Sequence, residues 1–256
     1  MRYNLKDFTF LILIRLDSIQ RLENILAISS SLCQYFDTHI KVFEASPHYN
    51  GILKSLLNKK INYQFIEDKD PVFYKTKYIN LLLQDIQTPF LSIWDADIVV
   101  DKQQIIAATS KLQDNSADVA LPYNGTCLEV PEILRSLYLN NKNIKCLKRN
   151  ESKMNFLYNR TLVGGSVFIR KDKFITAGVD NEMHYGWGND DFDRFQRFKT
   201  LGFEIFRTDN SLFHLYHPRG LNSSYGGLFN GEISLGELAI TMNSSKNEIL
   251  VNKTIR

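Results

Sequence analysis

Apolar and polar positions along the first half of the chain switch repeatedly between a period of two and a period near 3.6. Residues 8–14 (FTFLILI) form a continuous apolar run of strand length. Leu22, Ile25, Leu26, Ser29 and Leu32 then recur at helical spacing and predict a helix over about 18–35. Residues 39–44 (HIKVFE) and 61–66 (INYQFI) read as a second and third strand. Tyr78, Leu81, Leu82 and Asp85 place a helix over 75–87. Thr88-Pro89 punctuates, and 90–94 (FLSIW) is a short apolar strand. A helix over 101–113 and a strand over 118–121 follow. Strands alternating with helices imply an α/β fold with a mostly parallel central sheet flanked by helices.

The second half is less regular. Residues 162–170 (LVGGSVFIR) open on a glycine pair and end as a strand, and 171–177 can form a short helix closed by Gly178. Phe192, Phe195, Phe198 and Leu201 recur once per turn, so 189–201 is a helix, ended by Gly202. Residues 203–207 and 211–217 read as strands, and the tail beyond Gly220 is rich in Gly, Ser and Asn. There is no repeat and no clear linker, so one domain is expected over 1–256, with 1–125 as a nucleotide-binding half and 126–256 as an acceptor and catalytic half.

Composition narrows the class. With 44% hydrophobic and 23% charged residues over 256 positions, wholesale disorder is excluded. The net charge of +3 gives no electrostatic case for nucleic acid, so no nucleic-acid partner is expected. Cys33, Cys127 and Cys146 have neither metal-ligand spacing nor an even count, which favours a reducing compartment. The 8–14 run is far shorter than the roughly 20 apolar residues of a membrane span. Arg15 and Asp17 stand where a leader peptide would carry small residues. The expectation is a cytoplasmic protein.

Four constellations carry chemistry. Asp95 and Asp97 stand two apart at the carboxyl end of the 90–94 strand, where open α/β sheets bind ligands. They suit a hard cation that keeps positions open for diphosphate oxygens, or they are two solvated acids. Gly186-Trp187-Gly188-Asn189-Asp190-Asp191-Phe192-Asp193 places three acids at the start of the best helix, next to an aromatic flanked by glycines. Helix capping and the helix dipole account for one or two of these acids; a flat ring able to stack on a sugar calls for more. His214 and His217, three apart before Pro218, reach one metal if the backbone curves there, or one of them caps a carbonyl. Gly164-Gly165 before a strand permits close approach of a ligand, or is a turn.

Taken in order, WDAD, GGSVFIRKDKF, GWGNDD and HxxH resemble the GT-A glycosyltransferases, in particular the β-1,4-galactosyltransferases and the related bacterial polysaccharide transferases such as chondroitin polymerase. The likeness runs over about residues 8–220. It implies an inverting transferase that takes a UDP-sugar donor with Mn2+ (or Mg2+). By the family pattern Asp97 and His217 bind the metal, with His214 where the galactosyltransferases carry Met. Asp95 and Gly165 hold the donor, Trp187 and Asp190 the acceptor, and Asp191 is the catalytic base. Arg15 matches a basic residue after the first strand, Asp17 stands where the family has a second Arg, and Lys75 falls in a donor-proximal segment, FYKTK. Leu162 occupies the place of a bulky Tyr two residues before the glycine pair, which implies room for an N-acetyl group. The expected acceptor is a saccharide or lipid-linked oligosaccharide in surface polysaccharide synthesis, handled at the inner face of the membrane.

Two other classes fit less of the sequence. A nucleotidyltransferase acting on sugar phosphates would carry a glycine-rich basic loop after the first strand, whereas RLDSIQR has no glycine. A non-catalytic carbohydrate-binding protein would need the aromatics but not the metal-type acids and HxxH.

Overall fold

The computed structural model describes residues 2–220 and 225–252, so the part of the Gly/Ser/Asn-rich tail at 221–224 and 253–256 lies outside the described residues. In chain order the elements are β1 (Tyr3–Ile14), α1 (Ile19–Tyr35), β2 (Phe36–Ser46), α2 (Ile52–Leu56), β3 (Asn62–Glu67), α3 (Lys75–Leu83), β4 (Phe90–Asp95), β5 (Ile98–Val99), α4 (Lys102–Gln113), β6 (Val119–Leu121) and β7 (Cys127–Val130). Then come α5 (Glu132–Asn141), α6 (Ile144–Lys148), β8 (Asn155–Phe156), β9 (Ser166–Arg170), α7 (Lys171–Thr176), α8 (Asp190–Leu201), β10 (Ile205–Arg207), β11 (Leu212–Leu215), α9 (Leu228–Asn243) and α10 (Lys246–Asn252).

The main sheet has seven strands in the order β10-β6-β9-β4-β1-β2-β3. Its pairs are parallel except those of β9, which runs antiparallel between β4 and β6. The apolar run at 8–14 is wholly buried in the centre of this sheet, where a strand covered on both faces has no polar side to show. Phe8, Phe10, Trp94 and Phe168 interlock across β1, β4 and β9 at centroid distances of 5.5–5.8 Å. A second sheet, β5-β11-β7-β8, stands beside the carboxyl end of β4. It is this small sheet that brings the second half of the chain to the end of the first.

The short α2, α6, β7 and β8 were not assigned from the sequence, and three larger points depart from its reading. Asp95 is the last residue of β4, but Asp97 lies in a turn at 96–97 before β5, so the two carboxylates are not carried on one extended strand. The tail contains the 16-residue α9, packed along α8. Residues 132–141, unassigned in the sequence reading although Ile133, Leu134, Leu137 and Tyr138 recur at helical spacing, form α5; its C-cap Lys142 is left-handed, with φ of 47°. Among the described residues no helix is long and apolar enough to cross a membrane.

Candidate active site

One cleft opens at the carboxyl end of β4. Asp95, Asp97, Lys75, Gly165, Trp187, Asp190, Asp191, His214 and His217 all line it. Each arrives by a simple local rule.

The turn after β4 presents Asp97, and β5 pairs antiparallel with β11 so that Ile98 faces His214 in register. The Leu215 N–H donates to the Asp97 carbonyl at 2.8 Å, which clamps the turn to the strand. His217 lies just past β11, and its Nε2 is 3.1 Å from Asp97 Oδ2; His214 Nε2 is 3.8 Å from Asp97 Oδ1. The ligand atoms of the three residues all fall within 4.8 Å of one another. His217 Nδ1 is 2.9 Å from the Pro218 carbonyl, which accepts its proton and leaves the Nε2 lone pair aimed at the carboxylate. Two lone pairs at that distance repel unless a cation or a proton lies between them. Half-buried His214 has an Nδ1 with no hydrogen-bond partner, and burial lowers its proton affinity, which favours the neutral imidazole that metals bind. Burial would raise the Asp97 carboxyl, but the adjacent imidazoles outweigh it and hold it well below the usual range. One carboxylate and two imidazoles, with the rest of the sphere open to the cleft, fit a Mn-type ion.

Asp95 goes elsewhere: Lys75 Nζ, at the start of α3, donates to its Oδ1 at 2.8 Å. Lys75 resists deprotonation although burial opposes its charge, because Asp191, Asp95 and Asp190 surround it. Burial pushes the Asp95 carboxyl up and Lys75 only partly offsets it.

The acids of α8 divide. Asn189 stands at the N-cap without a side-chain cap bond, so the first-turn N–H groups and their dipole are left to the carboxylates. Asp191 accepts from Arg194 Nη1 at 2.6 Å, and Arg194 is held in turn by a two-pronged bond to Asp180 at 2.6 and 2.8 Å. Burial would raise Asp191, yet Lys75 and Arg194 hold it low, so it is ionised at neutral pH. Asp190 behaves oppositely: burial, then the Asp191 charge, push its carboxyl up to about 7, and its Oδ2 is buried with no hydrogen-bond partner, Arg194 Nη2 lying 4.0 Å away. Side-chain exposure is 21% for Asp191 and 8% for Asp190. The third acid, Asp193, turns away from the cleft to Arg197 at 2.9 Å, so for it the helix-dipole and packing explanation holds.

The glycines have separate reasons. A Cβ on Gly164 would lie 1.9 Å from Asp191 Oδ2, so that carboxylate rests directly on the backbone just before β9. Gly165 has φ of +81°, which favours glycine, and its carbonyl accepts from Asp95 N–H at 2.8 Å. Trp187 is 37% exposed, lies near-parallel to Tyr158 at 6.5 Å, and meets Tyr225 edge-on at 5.7 Å.

Arg15 and Asp17 lie in an adjoining hollow with Asp70, His48 and Arg219. Arg15 is buried; its Nε donates to the Ala45 carbonyl at 3.0 Å, and its guanidinium pairs with Asp68 and sits 5.7 Å from the Phe73 ring. Asp17 pairs with Arg21 at 3.0 Å. Arg219, the last residue before Gly220, lines both hollows.

Sequence reasoning missed Arg21, Tyr158, Arg160 and Arg219 as lining residues. Arg21 was legible as the i+4 partner of Asp17 on a predicted helix. Tyr158 and Arg160 lie in a stretch without period, and nothing marks them. It also missed the support under the α8 loop: buried His184 Nδ1 is 2.8 Å from Ser234 Oγ of α9, and the same hydroxyl accepts from Asn189 N–H at 3.4 Å.

Comparison with known proteins agrees in kind. Residues 147–219 match the family described as the N-terminal domain of galactosyltransferase, the same stretch that carries the glycine pair, the GWGNDD segment and the histidines. No curated protein matches. Among solved structures, the catalytic domain of Drosophila β1,4-galactosyltransferase 7 in complex with xylobiose is 14% identical over 78% of this chain, with a TM-score of 0.44; the chain covers 63% of its length. A mutant of that enzyme in complex with manganese, UDP-Gal and xylobiose gives 14% identity over 85% of this chain and 68% of that one, at TM-score 0.50. Mannosyltransferase PcManGT from Pyrobaculum calidifontis, in complex with GDP-Man and Mn2+, gives 12% identity over 97% of this chain and 68% of that one, at TM-score 0.57. The fold is that of the GT-A glycosyltransferases, as the motif order implied.

Proposed function

We propose that the chain is a metal-dependent inverting glycosyltransferase that moves a hexose or N-acetylhexosamine from a UDP-sugar to a saccharide hydroxyl. The observation that carries this is the meeting, in one cleft, of a two-histidine, one-carboxylate cation set with an ionised acid at a helix start beside an exposed tryptophan. A lectin would use the exposed tryptophan but has no need of an ionised acid placed as a base opposite the cation set, and a fold shared with transferases solved with nucleotide sugars supports the reading.

Asp97, His214 and His217 hold Mn2+ (or Mg2+), which when bound supplies positive charge against the diphosphate leaving group. Lys75 brings a second fixed positive charge, and Asp95, tied to it, faces the donor sugar. Trp187, with Tyr158 beside it, offers a flat apolar surface to a pyranose face. Asp191 takes the proton of the attacking acceptor hydroxyl. As the acceptor oxygen bonds to the anomeric carbon, the bond from that carbon to the UDP oxygen breaks, and its electron pair leaves with the diphosphate. Attack from the face opposite UDP turns an α-linked donor into a β-linked product. Arg194 fixes the Asp191 carboxylate and so positions the base; Asp190 binds a neighbouring acceptor hydroxyl.

One observation favours a second assignment of the base. A carboxyl pushed up to about 7 is better matched to proton abstraction at neutral pH than one held low, and that carboxyl is Asp190. The greater exposure of Asp191 and its fixed orientation weigh for Asp191. The variants decide: with Asp191 as base, Asp191→Asn loses about 10²–10⁴ in transfer while UDP binding and melting temperature hold, and Asp190→Asn mainly raises the acceptor KM. The reverse pattern transfers the role to Asp190. The primary test is a donor panel of UDP-sugars, with GDP-mannose as a further arm, in the presence of Mn2+ and a saccharide acceptor; no turnover or metal-dependent hydrolysis of any donor refutes the proposal.

For the wider setting, the reading is a cytoplasmic enzyme acting on lipid-linked or free oligosaccharide acceptors for surface polysaccharide at the inner face of a membrane. What supports peripheral association is α9, where Leu228, Phe229, Leu235 and Met242 are 60–90% exposed beside the Trp187 loop.

A further inference from the structure

Behind the cation site, on the far side of β5, the structure has a second hollow of about 800 Å3. Ile98 lines both it and the cleft. That volume lies inside the range of about 300–1,000 Å3 typical of small-molecule sites. The floor is apolar: Leu32 from the end of α1, Phe36 from the start of β2, Ile105 from α4, Tyr138 from α5 and the rim of Trp94 are each 2–3% exposed and so fixed by the core.

The rim is different. Lys102, Lys142, Lys145 and Lys148 surround the opening, and Asp101 is the one acid among the lining residues, a balance of +3 from four cations and one anion. The whole 256-residue chain carries only +3, so the residues outside this opening balance to zero overall. Asp101 is already committed to Lys148 and to the N-terminus of α4, where it caps the Gln103 N–H at 3.0 Å. Lys102 lies 5.3 Å from the Tyr35 ring and Lys142 Nζ is 3.5 Å from Ser30 Oγ; among the described residues neither, nor Lys145, makes an ion pair. Like charges gathered at one mouth repel, although Lys145 and Lys148 stand in the last turn of α6 and Lys142 at the C-cap of α5, where the helix dipole favours a cation. The catalytic reading above uses none of these residues.

We infer that this hollow is a second binding site, for a single-chain lipid phosphate whose apolar chain lies on the Leu32–Phe36–Ile105–Tyr138 floor and whose phosphate meets Lys102, Lys142 and Lys145. Neither half of such a ligand suffices alone. An uncharged chain leaves the lysines unanswered, and a free phosphate leaves the floor empty. The lysines are point charges on flexible stems, suited to a phosphate in water rather than to a planar carboxylate held two-pronged.

The test uses the full chain and farnesyl phosphate, kept below its micelle concentration, in titration calorimetry. The expected result is saturable one-to-one binding, with farnesol and inorganic phosphate each at least tenfold weaker. Lys142→Glu combined with Lys145→Glu alters only exposed side chains, leaves the melting temperature in place and weakens farnesyl phosphate at least tenfold. Saturating UDP with Mn2+ leaves the affinity unchanged. The site assignment is overturned by absence of saturable binding, by equal binding of inorganic phosphate or of farnesol, by unchanged affinity in the double variant, or by displacement with UDP and Mn2+. No readout depends on sugar transfer, so this assignment and the catalytic one fail separately.

Discussion

Gly164→Ala tests the catalytic arrangement through a single methyl group. Gly164 has no left-handed φ, so alanine fits the backbone, and all of the cost comes from what the new Cβ meets. It meets Asp191: Oδ2 at 1.9 Å, Cγ at 2.5 Å and Cβ at 3.0 Å. Ordinary contact begins near 3.4 Å, so the carboxylate oxygen must retreat by about 1.5 Å. Because Cγ is also too close, the whole carboxylate must shift, and its other oxygen, Oδ1, then strains the 2.6 Å bond from Arg194, which Asp180 holds in place. A misplacement of about 1 Å can cost about 10² in rate, and complete loss of a general base about 10²–10⁴. Transfer should therefore fall about 10²–10³-fold, or about 2.7–4 kcal/mol in barrier, with donor KM close to the parent value because the cation site lies on other elements. Overpacking should cost about 1–3 kcal/mol of stability. Asp191→Ala removes the two closest atoms, so adding Gly164→Ala to it should cost little, and a double-mutant cycle of melting curves should show coupling of about that same 1–3 kcal/mol. Transfer within a fewfold of parent in folded Gly164→Ala, or an equal stability cost in both backgrounds, refutes the placement of Asp191 as a carboxylate seated on the backbone before β9 and used as base.

The parts of the site that were legible in the sequence are those that local chemistry marks twice. Trp187 to Asp191 combines a glycine-bracketed aromatic with acids opening a strongly periodic helix, and the structure puts that helix start on the cleft. The histidine pair and Asp97 were each ambiguous alone; the β5–β11 pairing that joins them is a contact between strands of two and four residues, too short to carry a period of its own. The division of labour among the acids was illegible in principle. Asp190, Asp191 and Asp193 are the same residue type within four positions, and only the direction each takes around the helix separates a cleft carboxylate from one buried against Arg197. The α9 helix was hidden for a related reason. Its apolar residues do not keep to one stripe: Ser234 and Thr241 face α8 while Leu235 and Met242 face out, so a search for an inward apolar face passes over it.

The remaining predictions address donor, metal and pH. Asp97→Ala should abolish Mn-dependent UDP binding in calorimetry with little loss of melting temperature, since the carboxylate faces two histidines rather than the core; unchanged affinity refutes the cation set. Leu162, which lines the cleft beside the glycine pair, should set donor size: Leu162→Tyr should lower turnover of UDP-N-acetylhexosamines relative to UDP-galactose at least tenfold, and an unaltered ratio refutes it. Asp190 carries a pH signature. Its folded-state carboxyl titrates near 7 against an ordinary 3.8, so between those values the folded protein holds a proton that the unfolded chain has already released. Stability contributed by that proton is complete below about 3.8 and is lost as pH rises through about 7. Asp191, held low, has the opposite sign and loses its contribution only in acid. Asp190→Asn removes the first effect and leaves the second. Its melting temperature should therefore lie near the parent's at pH 4–5 and progressively above it towards pH 8, the gap opening because the parent falls. A gap that stays constant from pH 4 to 8 would mean that Asp190 ionises as an ordinary surface acid, and burial beside the Asp191 charge would then not govern its proton.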